Sequence, residues 1–162
     1  MTELSDKLLA FLGQPNIAIF TTLRKDGTPH QTAVWYVYED GEVKVSVTDG
    51  RVKYKQLMRD PRISIAVASQ TIPYVQAVFE GTAVVQAEGG ADFFRRVAVR
   101  YYGEEDGNHY ADYDRDHSGE NRVIVRLKPE KIRAWDFNEV DDYHRPWSES
   151  YQPRFAESSP SV

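Results

Sequence analysis

The chain has 162 residues, 41% hydrophobic and 28% charged, with a formal net charge of −5 and no cysteine. That length suits one domain able to bury its own core, and the acidic balance argues against a general nucleic-acid binder. The missing cysteine removes disulfides, thiolate nucleophiles and thiolate metal sites; with no membrane-length apolar run and no signal-peptide layout, a cytoplasmic protein is expected.

Leu4, Leu8, Leu9, Phe11 and Leu12 share one side of a helical wheel, with Ser5 or Thr2 as cap and Gly13-Gln14-Pro15 as stop. The period then shortens. NIAIFTTL reads as a strand covered on both faces, Asp26-Gly27 as a tight turn, and HQTAVWYVY as its hairpin partner. Glu39-Asp40-Gly41 turns the chain again, and EVKVSVT alternates with Val43, Val45 and Val47 inward.

The stretch TDGRVKYKQLMRDPR follows, and the rest of the chain is organised around it. A strand ends at Thr48, Asp49-Gly50 turns, and Arg51, Lys53 and Lys55 crowd into the start of a short helix that Pro61 stops. Free backbone N–H groups, the helix dipole and these side chains favour an anion there, although a charge cluster of this size also suits a solvated connector.

RISIAVAS resumes the alternation, and residues 70–73 read as a loop. YVQAVFEGTAVVQAE is a long strand whose central Gly81 marks a bulge or bend. ADFFRRVAVRYY is the clearest helix, closed by Gly103, with Arg95, Arg96 and Arg100 on its expected solvated face. Residues 104–120 are polar and read as a loop with at most a helical turn. NRVIVRLKPEKIRAWDF returns to strand period, broken by Pro129. The expected organisation is a β domain over residues 1–137 and an extended tail over 138–162, whose Tyr143, Trp147, Tyr151 and Phe155 suggest that it drapes over another surface. Six or seven antiparallel strands with flanking helices favour a small barrel, and strands apolar on both faces favour a partner subunit.

The succession of a helix, FTTLRKDGTPHQTAVWYVYEDGEVKVSVTDGRVKYKQLMRDPRISIAVA and a long strand ending FEGTAVV resembles the split β-barrel flavin and deazaflavin oxidoreductases. This is the group that includes pyridoxamine 5′-phosphate oxidase, and the resemblance is strongest to its coenzyme F420-dependent branch. DGTPH, LMRDPR and EGTA carry it together, through their order and spacing. The resemblance implies a homodimer of split barrels with a cofactor cleft at the interface.

It also implies that Arg51 and Lys53 hold a phosphate or acidic cofactor tail, with Lys55 as a third contact and Thr48 offering its hydroxyl. Thr32, Ala33 and Val34 would lie beside the ring system. Val52 separates the arginine from the lysine that pyridoxamine phosphate oxidases often have adjacent, which favours F420 over flavin mononucleotide (FMN). Asp49 at the same helix start opposes an anion. The implied reaction is hydride transfer from reduced F420 to an electron-poor acceptor such as an enone, quinone or tetrapyrrole; an FMN-dependent oxidase or reductase, or a non-enzymatic F420 or flavin carrier, is the alternative. Such chemistry needs no dedicated catalytic residue. Trp35, Tyr36 and Tyr74 could face an aromatic substrate, although aromatics on strands more often serve the core.

His30, His109, His117 and His144 lack metal-ligand spacing, and Asp112, Asp114 and Asp116 lack the glycine and closing glutamate of a calcium loop, so no metal is expected. His30 itself reads as a turn residue near the cleft.

Overall fold

The period-two pattern is realised in the computed structural model, which describes residues 4–72 and 74–137, as eight strands accompanied by four helices. The tail over residues 138–162, with its four aromatic residues, lies outside the described residues. Helix α1 (Asp6–Leu12) is capped by Ser5, whose Oγ accepts from the Leu8 amide at 3.3 Å. β1 (Ala18–Leu23) and β2 (Pro29–Val34) form a hairpin in register from Ala18 opposite Val34 to Leu23 opposite Pro29. β3 (Val37–Glu39) and β4 (Glu42–Thr48) form the second. Then come α2 (Val52–Arg59), β5 (Arg62–Ala68), the long β6 (Val75–Gln86), α3 (Gly90–Tyr102), α4 (Glu104–His117), β7 (Arg122–Leu127) and β8 (Lys131–Asp136).

The strands make one antiparallel sheet in the order β2-β1-β5-β6-β7-β4-β3, with β8 also on β6, strongly curled into a half-barrel. β6 joins its two halves. It pairs with β5 and β8 over its first part and with β7 from Ala83 onward. Gly81 sits at that change of partner, where a Cβ would stand 3.1 Å from the Glu130 amide nitrogen. Inside the curl, Phe20, Val43, Val45, Ile65, Val67, Phe79, Val125 and Leu127 are fully buried, and α1 closes one side with Phe11 and Leu12. Burial of each large side chain contributes roughly 1.5–3 kcal/mol. A second cluster of Val37, Phe93, Val97 and Ile124 seats α3 on the outside of β4 and β7. Among the described residues no helix is long and apolar enough to cross a membrane.

Two departures from the expected elements have a physical cause. HQTAVWYVY is not one strand, because at Tyr36 the backbone N–H donates to the Tyr101 hydroxyl at 3.1 Å instead of to a neighbouring strand, so the count rises to eight. Residues 104–117 are a full helix and not a loop. Its buried face is made of Gly107 and Ala111; a Cβ at Gly107 would collide with the Val99 backbone, so only glycine lets α3 and α4 approach this closely. Acidic residues in its first turn and Arg115 and His117 in its last complement the helix dipole.

The arginines of α3 are not a solvated face either. Arg95 donates to Asn108 Oδ1 at 3.1 Å and Asp112 Oδ1 at 2.5 Å, clamping α4. Arg100 donates to the carbonyls of Leu12 and Gln14, which satisfies the end of α1. Arg96 binds Glu39 through both Nη atoms, at 2.6 and 2.7 Å, and Lys44 Nζ joins at 2.9 Å.

The outer face of the sheet is not uniformly polar. Ile19 lies between Ala33 and Ala66, and Ala66 lies opposite Val78, so an apolar row crosses four strands with Ile19 still 40% exposed.

Hydrogen bonds from Arg96, then from Lys44, hold the Glu39 carboxyl down at about 2, from an ordinary 4.5. A depressed carboxylate stabilises the fold above its unfolded value and stops doing so as pH falls through the folded one. Glu39→Gln should therefore be less stable than the parent near neutral pH by about 1 kcal/mol, as for partly exposed pairs. That gap should close between about pH 4.5 and 2 in urea melts, and a gap independent of pH would contradict the assignment.

Candidate functional site

The strand-to-helix passage after β4 builds one end of a groove. Thr48 ends the strand, and Asp49 extends the ladder by donating its N–H to the Asn121 carbonyl at 3.1 Å. The Asp49 carboxylate accepts from the Asn121 amide at 3.2 Å and Nδ2 at 2.9 Å, and these bonds hold its pKa below the usual range. That carboxylate is thereby committed to the start of β7. The chain then turns, the Arg51 N–H bonding the Thr48 carbonyl at 3.2 Å, and α2 opens at Val52 and Lys53, both of which line the groove.

The groove consists of two depressions of about 260 and 400 Å³ that share Ser46, Lys53 and Arg122. The larger is bounded by His30, Thr32, Val47, Thr48, Arg51 and Val52. The smaller is bounded by Ile17, Ala33, Val34, Trp35, Phe94, Val97 and Tyr110. One end is thus cationic and hydroxylic, the other apolar and aromatic. β2 forms one wall and is an edge strand of the sheet, paired only to β1 among the described residues.

Lys53 is half-buried, and its pKa is lowered first by that burial and then by Arg51. Among the described residues no carboxylate is placed to form an ion pair with it. The hydroxyls of Thr32 and Ser46 are buried and make no hydrogen bond among the described residues. A partly desolvated ammonium and two orphaned hydroxyls beside one opening are unfavourable unless something polar fills it. Arg122 contributes differently. It is committed to Asp114, at 2.8 Å from Nε and 2.5 Å from Nη2, and its guanidinium lies 3.6 Å from the Phe94 ring centroid. It therefore serves as a wall.

His30 is held from behind. Its Nδ1 is 2.8 Å from Gln56 Oε1, which also accepts from Thr22 Oγ1 at 2.6 Å. With that oxygen accepting, Nδ1 is the donor of this contact and Nε2 is the ring's remaining polar atom. At the aromatic end Trp35 stacks near-parallel on Tyr101, centroids 5.1 Å apart, and meets Tyr102 and Tyr110 edge-on at 5.2 and 5.9 Å.

The structure places Thr32, Ala33, Val34, Trp35, Thr48, Arg51 and Lys53 around this one groove. Lys55 does not line it and is exposed further along α2. Tyr36 is in the core, fully buried, its hydroxyl donating to the Leu12 carbonyl at 3.2 Å and burial pushing its pKa up to about 12. Tyr74 packs against Phe137 with the rings tilted, centroids 4.4 Å apart, and is not part of the lining. Ser46, Phe94, Val97, Tyr110 and Arg122 are lining residues that sequence reasoning does not single out, and His30 turns out to be a groove residue. Ser46 carries a weak signal in the sequence, as the one small polar side chain on the outward face of β4 between Lys44 and Thr48.

A family model described as pyridoxamine 5′-phosphate oxidase matches residues 4–136. The chain is 29% identical over 133 residues to an F420H2-dependent biliverdin reductase of Mycobacterium tuberculosis, covering 81% of this chain and 88% of that protein. Among solved structures it is similar to a conserved hypothetical protein of Mycobacterium tuberculosis, with TM-score 0.64, 28% identity and coverage of 83% and 86%. It is also similar in fold to a protein described as an F420 reductase, with TM-score 0.63, 22% identity and coverage of 82% and 98%. The match over nearly the whole described chain, together with the curled antiparallel sheet, makes this protein a member of the pyridoxamine 5′-phosphate oxidase-like split-barrel family.

Proposed function

We propose that the groove holds coenzyme F420 and that the protein is a reductase passing hydride from the reduced cofactor to an electron-poor small molecule, such as an enone, quinone or tetrapyrrole. The observation that carries this reading is the half-buried Lys53, without a carboxylate partner among the described residues, beside the orphaned hydroxyls of Thr32 and Ser46 in a groove whose other end is aromatic. A ligand with an anionic tail and a flat ring satisfies both ends at once. The F420H2-dependent relative supports the same cofactor.

On this reading Arg51, Lys53 and the Thr48 hydroxyl hold the phosphate and acidic tail, with Lys55 reached only by a tail that extends along α2. Thr32, Ala33 and Val34 flank the ring from the edge strand, and Trp35 with Tyr110 bounds the acceptor side. The bound deazaflavin supplies the hydride; the chain's own task is to bind, orient and keep water from the ring. A second reading, an FMN-dependent oxidase or reductase, is favoured by the description of the matching family, since FMN also presents a phosphate and a flat ring. A carrier without an acceptor is the third.

We also propose a homodimer. Ile17 and Ala33 of the groove wall adjoin the apolar row through Ile19, so a second copy laid on that row would cover exposed aliphatic surface and deepen the groove. The protein should elute as a dimer in size-exclusion chromatography with light scattering, and Ile19→Glu should shift it to monomer. A monomeric parent would remove the proposal.

Removing two charge-assisted hydrogen bonds together costs about 3 kcal/mol, or roughly a hundredfold in affinity. Arg51→Ala with Lys53→Ala should weaken F420 by about that factor in fluorescence titrations and leave the thermal transition in place. Unchanged affinity would sink the site. Tighter binding of FMN than of F420 by the parent would favour the second reading.

Lys53 has its ammonium form disfavoured by burial, so an anion bound beside it raises its pKa again. Calorimetry of cofactor binding in two buffers, at alkaline pH below the ordinary lysine range, should detect proton uptake that disappears in Lys53→Met. Equal heats in both buffers for the parent would place the anion elsewhere.

A further inference from the structure

Two residues at the cationic end of the groove, Thr48 and Arg51, already touch a negative charge. Glu120 stands on the turn between α4 and β7, and its Oε2 accepts from the Thr48 hydroxyl and lies 3.5 Å from Arg51 Nε. Arg51 Nε in turn lies 3.3 Å from Thr48 Oγ1, so three groups close a small triangle at the start of α2. The other carboxylate oxygen rests over Gly50, where a Cβ would collide with it. A hydroxyl, a guanidinium and a bare glycine thus surround this carboxylate, and the first two belong to residues that line the groove.

We propose that Glu120 is an internal anion that occupies the phosphate seat of the groove and is displaced by the ligand, so that it sets the threshold of charge a ligand must carry to bind. The inference rests on the cofactor reading above in taking the seat to be a phosphate site.

The turn itself is anchored independently of this side chain. Asn121 is tied to Asp49 by three hydrogen bonds, and Arg122 is paired with Asp114. The backbone of Glu120 bonds within the turn: its amide donates to Ser118 Oγ at 3.4 Å, and its carbonyl accepts from the same hydroxyl at 3.3 Å. The carboxylate can swing out while the backbone stays. Arg51 and Glu120 retain 69% and 32% of their side-chain exposure, so the pair is wet and weak, and a multiply charged ligand outcompetes it. Once a phosphate is seated, repulsion keeps the carboxylate out. A singly charged or neutral ligand gains too little at this seat to open it.

The test compares the parent with Glu120→Gln and Glu120→Ala by calorimetric titration of inorganic pyrophosphate, F420 and the phosphate-free deazaflavin chromophore. Both variants should bind pyrophosphate and F420 about two- to fivefold more tightly than the parent, as expected for release of one exposed ion pair. The phosphate-free ring should bind all three proteins equally. Equal or weaker pyrophosphate binding in both variants, or no pyrophosphate binding by any of them, overturns the inference, since Glu120 would then be a fixed support of Thr48 and Arg51 or the seat would take no phosphate. The two readings separate cleanly. If F420 does not bind but the pyrophosphate gain is seen, the cofactor assignment falls and the internal anion stands; if F420 binds and no gain is seen, the reverse holds. Should the alanine variant unfold, the near-isosteric glutamine variant decides alone.

Discussion

An ammonium group partly withdrawn from water, without a carboxylate among the described residues to pair with it, is the feature on which the rest of the groove depends. Lys53 is held in that position because α2 cannot rotate. Leu57 is buried in the main core, and Gln56 beside it bridges Thr22 of β1 and His30 of β2. One buried side-chain amide thus fixes the helix against the first hairpin and the histidine against the groove. Desolvating a charge without a counter-ion is unfavourable, and a fold keeps such an arrangement when a ligand returns the missing interactions. The free hydroxyls of Thr32 and Ser46 belong to the same unsatisfied set.

The remaining architecture keeps the two ends of the groove at a fixed separation. Arg100 and Tyr36 fasten the end of α1, and Tyr101 bonds the carbonyl of Asn16 at 2.6 Å as well as the amide of Tyr36, so α3 is locked to the chain on either side of the first hairpin. Arg95 and Arg122 then hold α4 against α3 and β7. These bonds place Trp35, Phe94 and Tyr110 opposite the cationic helix start. The aromatic end is rigid because its rings pack on one another before any ligand arrives, which lowers the entropic cost of ordering a ring there.

Much of the sheet was legible in the sequence because one face of each strand is buried and the other is not. The alternation of β4 and β5 and the turn residues between hairpins follow directly from that asymmetry. The break at Trp35–Tyr36 was not legible, since the group that replaces the strand partner is the hydroxyl of Tyr101, distant along the chain. Helix α4 escaped for another reason. Its buried face consists of small residues, so it has little hydrophobic signal, although the ordering of acids before bases along it was visible. Within the site, Arg51 and Lys53 stood out because two charges at a helix start follow a local rule. Ser46, Tyr110 and Arg122 come from three other elements and needed the topology. Aromatic character alone puts Tyr36 in the cleft beside Trp35, yet neighbours on extended chain point to opposite sides. Trp35 faces the groove and Tyr36 is therefore in the core.

The most direct measurement is a crystal structure of the protein with F420 bound. The ring should lie beside Ala33 and Trp35, with a phosphate oxygen within hydrogen-bonding distance of Lys53 Nζ and the hydroxyls of Thr32 and Ser46 turned to the ligand. Density for the cofactor at any other surface, with no ligand oxygen near Lys53, would contradict it.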